Sequence, residues 1–98
     1  MADVRRLGEN CGSLTLFTNP QGGIQDDLIV TSAPGFLYVV SNAGCRDKDM
    51  ALMKQRATAM QAEGRDVTIE FIDDKGLVAL QGKEIILTAN VLMFFSNN

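Results

Sequence analysis

Gly22-Gly23 runs straight into Ile24-Gln25-Asp26-Asp27-Leu28-Ile29-Val30, a glycine pair followed by adjacent carboxylates and a β-branched apolar run. The glycines read as a turn and the remainder as a strand over roughly 24–31. Successive strand residues point to opposite faces, so Ile24, Asp26, Leu28 and Val30 share one face while Gln25, Asp27, Ile29 and Thr31 share the other. The two aspartates therefore cannot share a proton with each other. Each needs its own partner, because a carboxylate on a half-buried strand either lies at its wet end or has its charge compensated.

The flanking segments predict what that strand pairs with. Ser13-Leu14-Thr15-Leu16-Phe17-Thr18 alternates apolar and hydroxyl side chains, the pattern of a half-buried strand, and Asn19-Pro20-Gln21-Gly22-Gly23 returns the chain. Ser32-Ala33-Pro34-Gly35 is a second turn, with Pro34-Gly35 suited to the middle of a type II turn, and Phe36-Leu37-Tyr38-Val39-Val40 is a third strand. Connections this short make the three strands an antiparallel meander. A helix is expected from Arg46 or Asp47 to about Glu63, with Asp47 as its cap, a stripe of Met50, Met53, Ala57 and Met60, and Gly64 at the C′ position. Val67–Ile72 and Leu77–Leu80 read as two further strands around the Asp73-Asp74-Lys75-Gly76 turn. The order β-β-β-α-β-β indicates an α+β fold, one helix covering a mostly antiparallel sheet.

Ninety-eight residues suffice for one small domain, burying about 65% of the surface its unfolded chain exposes. A net charge of -3, with no basic cluster longer than Arg5-Arg6, argues against nucleic acid as a partner, and no apolar run reaches the ~18 residues of a membrane span. The chain has no histidine and only two distant cysteines, Cys11 and Cys45. No metal site is expected from that set, Ser-His and Cys-His nucleophiles are removed, and a reduced intracellular context is the default. Catalysis would rest on carboxylates, backbone groups or a bound cofactor. Met1–Arg6 has an early acid and no apolar core, so it is not a secretory signal.

The glycine pair leads into a strand instead of a helix N-terminus and lacks a Walker lysine, so it is a turn and not a phosphate cradle. Asp73-Asp74 is a solvated turn. Asp26 and Asp27 precede a strand that should be buried on at least one side. From the residues alone they either cap a turn or serve a site. Asn42 follows the third strand, where the meander would bring it near those carboxylates, although it also suits a local backbone turn.

Three ordered blocks resemble the aminomethyltransferase family, the T-protein of the glycine cleavage system, in its animal mitochondrial branch. They are Gly22–Val30, then Leu37-Tyr38-Val39-Val40-Ser41-Asn42-Ala43-Gly44-Cys45 with Lys48-Asp49 behind it, then Leu77-Val78-Ala79-Leu80-Gln81-Gly82. The resemblance runs from about Gly12 to Gly82 and implies a fragment of the folate-binding aminomethyltransferase fold. It further implies a mitochondrial enzyme that takes the aminomethyl group from the lipoyl arm of the H-protein, transfers the one-carbon unit to tetrahydrofolate and releases ammonia. Carried over residue by residue, the family pattern makes Asp27 the catalytic carboxylate beside the reacting folate nitrogens and Asn42 a pterin contact, with Leu28 and Ile29 walling the same pocket. Strand parity, by contrast, singles out Asp26 as the carboxylate sharing a face with Leu28 and Val30.

After Gln81-Gly82 the family continues with proline and a helix, whereas this chain continues Lys83-Glu84-Ile85-Ile86-Leu87 and ends in Val91-Leu92-Met93-Phe94-Phe95-Ser96-Asn97-Asn98. The expectation is a partial folate-binding domain over 1–82 and an apolar, non-family tail over 83–98. Met1 resembles an internal methionine, and the family's N-terminal pocket segment, its glycine-tyrosine-threonine-glycine-glutamate motif and its distal arginines have no match. The alternative keeps the fold and drops the chemistry: a folate-binding scaffold or assembly factor of the same superfamily.

Overall fold

The computed structural model describes residues 2–77. Strand β1 (Gly12–Thr18), strand β2 (Ile24–Ala33) and strand β3 (Phe36–Val40) form an antiparallel sheet in the order β1-β2-β3, and helix α1 (Arg46–Ala62) follows. The meander read from the sequence is the observed one. Its turns are built as the residue types require. Asn19 accepts from the backbone N–H of Gln21 and Gly23 through Oδ1, and Gly22 takes the left-handed φ of 82°. At the second turn Ala33 pairs with Phe36, leaving Pro34-Gly35 as the two central residues, and Gly35 also has φ 82°.

The β1–β2 register carries one irregularity that matters below. Phe17 pairs with Asp26 but Thr18 pairs with Ile24, so Gln25 is an extra, bulged residue. Its carbonyl, out of the ladder, accepts from the Lys48 Nζ of α1. The bulge also interrupts the alternation: Ile24, expected on the Asp26 face, is 68% exposed.

From Asp26 onward the parity holds. Asp26, Leu28 and Val30 are buried, while Asp27 and Ile29 lie on the open face. Helix α1 packs over the buried face, contributing Ala57 to the core, and an apolar gap of about 350 Å³ remains between Leu16 and Phe17 on one side and Leu52, Met53 and Met60 on the other. The helix ends in a Schellman arrangement, Arg65 N–H to the Met60 carbonyl and Gly64 N–H to the Gln61 carbonyl, with Gly64 at φ 80°. At its start Cys45, not Asp47, is the N-cap residue, and Asp47 sits within the first turn.

Val67–Ile72 is not a strand. Its alternation survives, with Val67, Ile69 and Phe71 half-buried, and Lys54 of α1 stands 5.1 Å over the Phe71 ring. No described strand pairs with it, however, and without a hydrogen-bonded ladder alternation alone does not make a strand. Of the expected strand Leu77–Leu80 only Leu77 is described, and the apolar tail lies outside the described residues. The architecture of the described part is therefore α+β, three antiparallel strands and one helix.

Candidate functional site

The turn that joins β3 to α1 folds back against the start of β2. Asn42 precedes a short 3-10 turn, Ala43–Cys45, and its Nδ2 donates to Asp26 Oδ1 at 3.0 Å, to the Asp27 carbonyl at 2.9 Å and to Asp27 Oδ1 at 2.9 Å. Three oxygens around one amide group fix its orientation, because the amide oxygen in that position would meet acceptors only. The Asn42 backbone N–H adds a fourth contact, to Asp26 Oδ2 at 3.4 Å. One asparagine thus ties together two aspartates whose side chains leave opposite faces of the sheet.

The two carboxylates live in different surroundings. Asp27 is exposed on the open face. Asp26 is 9% exposed and held at a pKa of about 2 from an ordinary 3.8, first by the Asn42 side chain and, less strongly, by Asp49, the Asn42 N–H and the Cys45 thiol, with burial opposing them. Asp49, one turn into α1, is fully buried and neither of its oxygens meets a donor among the described residues. Burial raises its pKa, and the neighbouring Asp26 carboxylate raises it further.

No family model matches the chain. Among curated proteins it is 55% identical over 83 residues to the mitochondrial aminomethyltransferase of Canis lupus familiaris and 54% identical to that of Homo sapiens, each match covering 84% of this chain and 20% of the relative. The mitochondrial aminomethyltransferase of Solanum tuberosum is 41% identical over the whole chain, which is 24% of its own length. The chain is homologous to a segment of the aminomethyltransferases. It spans about a fifth of the length of the first two relatives.

Within this segment the residues expected at the site divide between the two faces. Asp27, Ile29 and Asn42 lie on or at the edge of the open face, Asn42 being exposed. Leu28 is 3% exposed beneath the helix, so its side chain and that of Ile29 are not brought together, and only the Leu28 backbone reaches the Asp27 side. Asp26, favoured by parity, is on the buried face but reaches Asn42. Asp49 was not legible as a site residue. Its signal was the spacing Asp49, Met53, Ala57, which sets a carboxylate in line with the apolar stripe at i, i+4, i+8. No group of three or more Cys, Asp or Glu among the described residues is placed to hold a metal ion, and none of the described helices is long and apolar enough to cross a membrane.

Proposed function

We propose that this segment supplies the folate-facing carboxylate and amide of a mitochondrial aminomethyltransferase of the glycine cleavage system. In this reading it works in transfer of a one-carbon unit from the aminomethyl-lipoyl H-protein to tetrahydrofolate, with release of ammonia. The observation that carries the reading is the Asn42 bridge to Asp26 and Asp27. It leaves the exposed Asp27 with carboxylate lone pairs free for a ligand, and it turns the Asn42 amide oxygen away from the aspartates. Both are acceptors, suited to the N–H edge of a pterin. Tetrahydrofolate supplies the nitrogens that take up the one-carbon unit. Asp27 orients that group and offsets cationic charge developing on the transferred carbon, Asn42 fixes the carboxylate and the pterin together, and the Ile29 side chain and Leu28 backbone form the adjoining surface.

A chimera tests this. Residues 12–77 of this chain are exchanged for the matching stretch of the dog or human enzyme, and formation of methylenetetrahydrofolate from loaded H-protein is measured. Transfer within about tenfold of the parent supports the reading. A folded chimera that binds tetrahydrofolate without transfer establishes the scaffold alternative, and one that neither binds nor transfers refutes the folate assignment.

The 98-residue chain by itself has a different expected result. Ligand sites enclose most of a drug-sized ligand, whereas Asp27 and Asn42 are both exposed and no described element covers their side of the sheet. Calorimetric titration with tetrahydrofolate is expected to show no saturable binding at micromolar concentration. A Kd near 1 μM, about -8 kcal/mol, would mean that these few contacts suffice.

A further inference from the structure

Asp49 is the largest side chain buried to completion among the described residues, 0% exposed, and it is a carboxyl group without a donor. The group facing it is Asp26, itself 9% exposed on the buried face of β2, and each carboxyl acts on the proton of the other. Two ionised carboxylates in such a place would repel each other and leave Asp49 with no compensating hydrogen bond, a cost that buried groups escape by changing protonation state. One proton resolves both problems, since a protonated carboxyl gains an O–H donor and an O–H to carboxylate bond is among the stronger ones.

We infer that Asp49 is held as a neutral carboxylic acid that donates its proton to Asp26, and that it acts as a positioning residue for the Asp26–Asn42–Asp27 bridge. The pair then carries one negative charge, located on Asp26, where the Asn42 amide and backbone N–H already converge.

The other groups facing the pair agree with this division. From β2 the only acid on this face is Asp26. From α1, Lys48 draws the Asp49 pKa down, but its ammonium is directed to the Gln25 carbonyl. From the connecting turn, the Ser41 hydroxyl lies toward Asp49 without reaching hydrogen-bond geometry, and the Cys45 thiol lies toward Asp26. The donors thus gather on Asp26 and leave Asp49 to be the acid. Asp26 is correspondingly held at a low pKa and Asp49 at a raised one. The proton sharing does not depend on the folate reading; only its consequence for transfer rests on it.

The decisive measurement is carbon-detected NMR of the aspartate carboxyls in the 98-residue chain as a function of pH. The Asp49 carboxyl is expected to stay in its neutral form above the ordinary 3.8, and Asp26 to stay ionised down to about 2. An Asp49 that titrates at 3.8 overturns the inference. Two variants separate positioning from packing. Asp49→Asn keeps a donor toward Asp26 and should leave the Asp26 midpoint low and the Asn42 side-chain amide signals in place. Asp49→Leu removes the donor and should move the Asp26 midpoint upward and shift the Asn42 amide signals. If both variants leave Asp26 and Asn42 alike, the positioning role is refuted; if the leucine variant does not fold, the wild-type titration decides alone. None of these readouts involves folate, so they succeed or fail apart from the transfer reading.

Discussion

Replacing Asp27 by asparagine in an aminomethyltransferase chimera carrying residues 12–77 is expected to lower turnover about 100- to 1,000-fold, the scale of a lost charge-stabilising group at a reacting centre. The melting temperature should move little, because Asp27 is exposed and, among the described residues, its carboxylate accepts only from the Asn42 amide. Asparagine preserves the shape and an acceptor oxygen, so what is removed is the charge. A fall in kcat at unchanged KM would place the contribution in the transition state, and a rise in KM alone would make Asp27 a binding group. Unchanged kcat and KM would end the catalytic assignment.

The companion variant, Asp26→Asn, separates the family alignment from strand parity as guides to chemistry. Asp26 accepts from the Asn42 side chain and backbone and faces Asp49, so its neutralisation disturbs the bridge itself. The melting temperature should fall more than for Asp27→Asn. Turnover should fall less, since Asp27 keeps its charge on the open face. The reverse order of turnover losses would mean that the buried carboxylate is the one that acts.

The second large effect is on stability against pH. Between about 2 and 3.8 the unfolded chain keeps a proton on Asp26 that the folded chain has released, so the contribution of Asp26 grows as pH rises and is lost as pH falls toward 2. Asp49 has the opposite sign. From 3.8 upward the unfolded chain releases a proton that the folded chain retains on Asp49, so stability declines with rising pH until the folded group also titrates. The pair is therefore most stabilising near pH 3.8. In urea denaturation across pH, wild-type stability minus that of Asp49→Asn is expected to decline above this point with a slope approaching one proton and then to level off. A difference independent of pH would mean that Asp49 is ionised in the folded chain at neutral pH.

Much of the scaffold was determined by the amino-acid sequence alone, because the signals involved are local. Proline and glycine set the backbone of the two turns, alternation marked β1 to β3, and Gly64 ended the helix where only a left-handed residue closes a Schellman arrangement. Period-two geometry likewise separated Asp26 from Asp27 without any knowledge of their neighbours. The resemblance to aminomethyltransferases drew attention to Asp27 and Asn42, and the meander does bring Asn42 onto both aspartates. What remained was decided by contacts between segments distant in the chain. The Gln25 bulge exposes Ile24 because β1 imposes its register on β2, and Val67–Ile72 is no strand because a ladder needs a partner and no described strand supplies one. By its sequence neighbours alone Asp49 is one of two acids in the first turns of a helix. It became the most buried charge-bearing group only when α1 docked with that turn over Asp26, where the low dielectric and the facing carboxylate, and not its own sequence neighbours, govern its proton.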